Sequence, residues 1–239
     1  IGGMRHRQKG GVWANTGLIG EASYLACFLR KKAFMLASMF VVLTGDIVGS
    51  SDLEVEALEE TLEAVALAAR GVGGWPGVSQ WGFARRGGDA WQMAFDAPAL
   101  GLRAGLYTAA YLRRLEKTRA TRIAMAVGAG QMPGNDPNAA HGAGFTASGR
   151  LLEKLPSGRY LDDAAGGAAA AAARLADHIA QGWTPAQARA MAEQLPPGAG
   201  TRAEAAARLG ISRQAVDQAL WAAGYPAIEA ALEALEGGK

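Results

Sequence analysis

The chain has 239 residues, half of them hydrophobic and 19% charged, with one cysteine and a formal net charge of +2. That apolar share excludes wholesale disorder, and the length admits one large domain or two small ones. Cys27 alone builds neither an intrachain disulfide nor a cysteine-based zinc cage, so a reducing, cytoplasmic setting is the expectation.

The charge is unevenly spread. Arg5, Arg7, Lys9, Arg30, Lys31 and Lys32 face the single Glu21 in residues 1–34, an excess of five that leaves the rest of the chain at −3. Glu21 and the run Arg30 to Lys32 interrupt the apolar stretches on either side, so neither approaches the roughly 20 residues of a membrane span, and no membrane partner is expected. Met35 and Met39 stand directly before the first regular strand, and residues 1–34 are expected to be an upstream leader outside the working protein.

Phe40-Val41-Val42-Leu43 is a continuous apolar and β-branched run, the pattern of a strand buried on both faces. A glycine-bearing turn, Thr44 to Ser51, follows. Asp52 reads as the N-cap of an amphipathic helix over 53–70, with Leu58, Leu62, Val65 and Ala69 on its apolar stripe. Strands over 78–84 and 90–95 flank Arg85-Arg86-Gly87-Gly88-Asp89, a hairpin signal. Pro98 opens a helix over 99–115, and 122–127 is a further strand. The order β-α-β-β-α-β predicts an α+β fold of ferredoxin-like type, an antiparallel sheet with two helices on one face.

A helix is expected over 145–155, then a break at Pro156-Ser157-Gly158. The alanine and glycine run 164–173 reads as a permissive helix or a linker. Thr184-Pro185 starts another helix that ends before Pro196-Pro197-Gly198.

Residues 202–220 have the spacing of a helix-turn-helix. Ala206 is small enough for two helices to cross, Gly210 permits the turn, Ser212 caps the second helix, and Ile211, Val216 and Leu220 are expected to bury it. Arg213, Gln214 and Gln218 would then face a major groove of double-stranded DNA, with side chains suited to guanine and adenine edges. The unit carries one excess positive charge, so bulk phosphate attraction is weak and dimerisation would be needed to raise affinity. A helix pair that docks a protein is the other reading.

Asp46 ends the first strand and Asp89 lies in the hairpin turn of the same sheet, so their carboxylates can converge on one divalent cation. Gly49, Ser50 and Ser51 precede the first helix and would offer backbone N–H groups to phosphates. Aspartates in turns also serve simply as turn-formers, and the residue types leave that reading open.

Leu43-Thr44-Gly45-Asp46-Ile47-Val48-Gly49-Ser50-Ser51 resembles the first-strand metal motif of class III nucleotidyl cyclases. Arg85-Arg86-Gly87-Gly88-Asp89, Arg122-Ile123-Ala124-Met125-Ala126-Val127-Gly128 and Gly142-Ala143-Gly144-Phe145-Thr146-Ala147-Ser148-Gly149-Arg150-Leu151 resemble that family's later motifs, in order, over residues 39–155. The resemblance implies Mg²⁺ or Mn²⁺ at Asp46, Ile47 and Asp89, and a nucleoside triphosphate or related nucleotide at Gly49, Ser50, Ser51, Arg85 and Gly88. It also implies transition-state roles for Arg150 and Thr146. Thr146 stands where the family has asparagine, Arg85 where it has a base-reading lysine, and Ala139 where an adenine-reading aspartate would be. Gly87-Gly88-Asp89 is similar to the GGDEF cyclases as well, but Ala90 replaces their next glutamate.

A cyclase-like unit followed directly by a Leu-Gly-Ile-Ser helix-turn-helix resembles the bacterial SatD-like family. The expected layout is a leader at 1–34, a cyclase-like domain at 35–157, a helical linker at 158–182 and a helix-turn-helix domain at 183–239. The expected function is a homodimeric, nucleotide-responsive DNA-binding transcriptional regulator. The alternatives are an active Mg²⁺-dependent nucleotidyl cyclase and a degenerate dimerisation platform.

Overall fold

The central strand β1, Ser38–Ile47, has Phe40 to Leu43 all buried, as a continuous apolar run requires when both faces of a sheet are covered. It pairs antiparallel with β3 (Ala90–Phe95) on one side and β4 (Thr121–Gln131) on the other, with Leu43 opposite Met93 and Met125. β2 (Trp81–Arg85) extends the sheet beyond β3, and the short β5 (His141–Gly142) extends it beyond β4. The strand order is β2-β3-β1-β4-β5, with β6 (Leu161–Asp163) pairing parallel to β4. These strands and their helices make a mixed α+β fold. This computed structural model describes residues 1–2 and 38–237. Residues 3–34 of the expected leader, Cys27 among them, lie outside that range.

Helices α1 (Val55–Gly73) and α2 (Gly101–Arg113) cover one face of the sheet. Their Leu62, Val65, Leu106 and Leu112 join Val41, Leu43, Trp91, Met93 and Ile123 in the main core. The start of α1 differs from expectation. Asp52 belongs to a 3₁₀ turn over Ser50–Asp52, Leu53 is extended, and Glu54 precedes the helix without a side-chain cap bond.

The opposite face carries Phe40, Val42 and Ala94, packed against Met132 and against Phe145 of α3 (Ala143–Lys154). Glycine makes that packing possible. A Cβ on Gly128 of β4 would lie 2.5 Å from the backbone nitrogen of Gly144, so α3 rests on bare backbone.

The helix expected in the alanine-rich stretch is present, and residues 158–182 are packed into the fold. They supply β6 to the sheet and α4 (Gly167–Gln181), whose Ala170, Ala173, Ala176 and Ala180 are buried at helical spacing. The alanine run therefore encodes close helix packing. The described residues from Ser38 to Gly237 cluster as one compact unit. Helices α5 (Pro185–Gln194), α6 (Arg202–Leu209), α7 (Arg213–Ala222) and α8 (Tyr225–Glu236) contribute Met191, Ala205, Val216, Leu220, Ile228 and Leu232 to the same main core. Among the described residues, no helix is long and apolar enough to cross a membrane.

Asp177 of α4 is buried and accepts hydrogen bonds from the Tyr160 N–H at 2.9 Å and from Gln181 at 3.0 Å. Burial raises its pKa, and those bonds offset the rise only in part. A carboxyl held above its unfolded value favours folding below the unfolded pKa, and that advantage is lost as pH rises through the folded value. Against Asp177→Asn, the wild type should therefore gain relative stability as pH falls from about 7 to about 4, a range spanning the ordinary carboxyl pKa. Urea unfolding at several pH values measures the difference, and a constant difference rejects the assignment.

Candidate functional site

Side chains on β1 alternate between faces, which puts Thr44 and Asp46 on the α3 side of the sheet, in step with Phe40 and Val42. Arg122 lies directly opposite Asp46 on β4. Its guanidinium grips the carboxylate bidentately, with Nε donating to Oδ1 at 2.8 Å and Nη2 donating to Oδ2. Asp89 arrives at the same end of the sheet, one residue before β3, and accepts the Ser50 hydroxyl at 2.5 Å. The hydrogen bonds to Asp46 raise the Arg122 pKa, burial opposes the rise, and the charges of Asp46 and Asp89 add to it. Asp46 and Asp89 thus lie at one end of the sheet, Asp46 paired with Arg122 and Asp89 with the Ser50 hydroxyl.

The backbone beneath Asp46 is anchored from the core. Trp91 Nε1 donates to Thr121 Oγ1 at 2.9 Å, and Thr121 Oγ1 donates to the Asp46 carbonyl at 2.6 Å. A second chain of polar groups crosses the α3 face. Arg86 donates to Gln92 Oε1 at 3.2 Å and to the Pro137 carbonyl at 3.3 Å, while Gln92 Nε2 donates to Thr44 Oγ1 at 2.8 Å. Thr44 and Ser148 hydroxyls then meet at 2.8 Å. Gln92 and Ser148 are buried, so this chain ties the hairpin, β1 and α3 together.

Other expected site residues fall elsewhere. Arg85 pairs in register with Trp91, on the α1 and α2 side, and donates to Glu59 at 2.6 and 2.9 Å. It is Arg86, not Arg85, that shares the face of Asp46. Gly88 is a left-handed hairpin residue with φ 55°. The Ile47 side chain is buried in the main core and offers only backbone to the site. Thr146 and Arg150 lie on the exposed side of α3, Thr146 donating to the Gly142 carbonyl at 3.2 Å, while Phe145 and Ser148 face inward. Gly49, Ser50 and Ser51 do not head α1, which begins at Val55. The Asp52 and Leu53 N–H groups bond back to Gly49 and Ser50, and the turn instead delivers the Ser50 hydroxyl to Asp89.

Neither Arg122 nor Thr121 stands out in the sequence. The available signal is the even spacing of Arg122, Ala124 and Ala126, which puts the one charged residue of β4 on the face opposite the core. Among the described residues no group of three or more His, Cys, Asp or Glu converges. Mg²⁺ needs about six oxygen ligands in near-octahedral array. Here both Asp46 oxygens bond to arginine and one Asp89 oxygen bonds to a serine, so the residues as arranged do not fit a divalent cation.

At the carboxyl end, Gly210 adopts φ 66° and ψ 30° between α6 and α7, the left-handed conformation that lets two short helices turn sharply. Ser212 Oγ caps α7 by accepting the Ala215 N–H at 3.1 Å. Thr201 and Glu204 form a capping box on α6, a pairing that the Thr-x-x-Glu spacing encodes. Ala206, Val216 and Leu220 are buried as expected, whereas Ile211, just past the left-handed turn, is 45% exposed and does not join them. Arg213, Gln214 and Gln218 are exposed, with Trp221 beyond them. Asp217 lies 3.7 Å from both Arg202 and Arg213, which dilutes positive potential on this face. Neither the scan against protein-family models nor the search of curated proteins returns a match to this chain.

Proposed function

We propose that the chain is a nucleotide-responsive, DNA-binding transcriptional regulator. In this reading β1 to β4 with α1 and α2 form a ferredoxin-like, nucleotidyl-cyclase-like sensor, and α6 and α7 form a helix-turn-helix. The observation that carries it is the capped turn itself: left-handed Gly210, the Ser212 cap, buried Val216 and Leu220, and exposed Arg213, Gln214 and Gln218.

The compactness of the unit supports coupling. Arg103 of α2 reaches Glu229 and Glu236 of α8, so the helix behind the sheet is bonded to the helix that directly follows the pair proposed to carry DNA. A nucleotide at the Asp46 end shifts DNA affinity only if it binds two arrangements of this joint unequally. A homodimer on a paired site would supply the affinity that one excess charge does not.

The test is selection of bound duplexes from a random-sequence pool by the full chain, followed by gel shifts on the enriched sequence. Each good side-chain-to-base pair is worth about 1–3 kcal/mol, so replacing Arg213 and Gln214 with Ala should abolish the specific shift. No enrichment, or an unchanged shift, rejects the DNA assignment. The four nucleoside triphosphates should each be tested for thermal stabilisation and for pyrophosphate release. Release lost in Asp46→Asn and Asp89→Asn would replace the sensor reading with a cyclase.

A further inference from the structure

The acid pair of a metal site and the cation between them need not be separate molecules. Asp46 and Arg122 face each other across the β1–β4 ladder, with 19% and 37% of their side chains exposed, and both carboxylate oxygens accept from the guanidinium. Asp89 makes no ion pair with Arg122, but it immediately precedes Ala90, the β3 residue opposite Asp46, so its charge lies at the same strand end. A guanidinium is a planar fork of N–H donors with no acceptor; it takes one lone pair on each carboxylate oxygen, and its positive charge at hydrogen-bond distance opposes the approach of a second cation. Two carboxylates at one strand end would otherwise repel each other, and one positive charge offsets most of that repulsion.

We propose that Arg122 is the resident counter-cation of Asp46 and Asp89, occupying by its charge and its hydrogen bonds the place a divalent metal would take. The wild-type pair is then closed to metal, and removing the guanidinium opens it. A merely structural Asp46–Arg122 pair, pinning β1 to β4, makes the opposite prediction: its loss loosens the strand ends and confers no metal affinity. The inference concerns the acid pair alone and stands whether or not the chain responds to nucleotides.

Mn²⁺ is the probe, with free ion followed by electron paramagnetic resonance during titration of the full chain. Wild type and Asp46→Asn should bind Mn²⁺ equally weakly. Arg122→Gln should gain a site, about one per chain and at least about tenfold tighter, a difference of about 1.4 kcal/mol. Combining Arg122→Gln with Asp46→Asn or Asp89→Asn should remove it. The proposal is overturned by a wild-type site that disappears in Asp46→Asn, by equal affinity in wild type and Arg122→Gln, or by a gain that survives loss of either aspartate. Should Arg122→Gln not fold, as judged by circular dichroism, Arg122→Lys takes its place. Lysine keeps the charge but loses the fork, and an intermediate gain of about threefold is expected, whereas wild-type affinity in that variant also overturns the proposal.

Discussion

Replacing Arg103 with alanine is expected to destabilise the protein by about 3–5 kcal/mol, the cost of removing one partner from a buried ion cluster. Arg103 is 3% exposed, and all of its donor nitrogens are engaged. Nε donates to Glu236 at 2.6 Å, Nη1 to Glu229 at 2.9 Å and to the Leu195 carbonyl at 2.8 Å, and Nη2 to Glu229 at 3.2 Å and Glu236 at 3.0 Å. Burial opposes its charge, but the bonds to Glu236 and Glu229 outweigh that and hold its pKa above the ordinary arginine value. Alanine would leave two facing carboxylates and a backbone carbonyl without their donor. Lysine cannot repair this, because a single ammonium does not reproduce the bidentate fork. Urea unfolding gives the loss, and native-state hydrogen exchange locates it: α8 amides should lose protection more than β1 amides. A loss below about 1 kcal/mol, the range of exposed pairs, would show that apolar packing alone holds the carboxyl-terminal helices.

Trp91→Ala should cost about as much, roughly 3–5 kcal/mol, by emptying one of the two fully buried tryptophans of the main core among the described residues. Trp91 fits because Gly45 opposite it has no side chain: a Cβ there would lie 2.5 Å from the indole and 2.4 Å from the Arg122 carbonyl. Gly45→Ala is therefore also destabilising, by about 1–3 kcal/mol for an overpacked core. The double variant should cost less than the sum, since removing the indole relieves one of the two clashes. Trp91→Phe keeps most of the bulk but loses the donor to Thr121, at about 0.5–1.5 kcal/mol. Thermal and urea unfolding of the four variants measure the set, and strict additivity of Trp91→Ala with Gly45→Ala would refute the shared space.

Much of the local structure was legible because it depends on short-range chemistry. The apolar run at Phe40 to Leu43 marked a strand covered on both sides, the glycine pair at Gly87 and Gly88 marked the hairpin, and Ser212 marked the start of α7. Errors arose where a local pattern admits two tertiary outcomes. An alanine run is compatible with a free linker or with close helix packing, and burial of Ala170, Ala173, Ala176 and Ala180 decided for packing. Ile211 reads as a core residue by composition, yet its place after a left-handed glycine turns it outward.

The candidate site divides in the same way. That Asp46 and Asp89 lie near one strand end was legible, because Asp46 falls near the end of β1 and Asp89 immediately precedes its antiparallel neighbour β3. The arginine partner of Asp46 was not. Arg85 and Arg86 are neighbours in sequence, but side chains on successive strand positions point to opposite faces, so only the register distinguishes them. Arg122 stands 76 residues from Asp46, and Arg103 stands 126 and 133 residues from Glu229 and Glu236. Periodicity and backbone preference located β1 to β4, the helices between them and the capped turn at Ser212, but not β5, β6 or α8, whose short or featureless sequences take their place from packing. Which charges meet followed from the folded arrangement, because ion pairing depends on distances of a few ångströms that are set by strand register and helix docking rather than by neighbours along the chain.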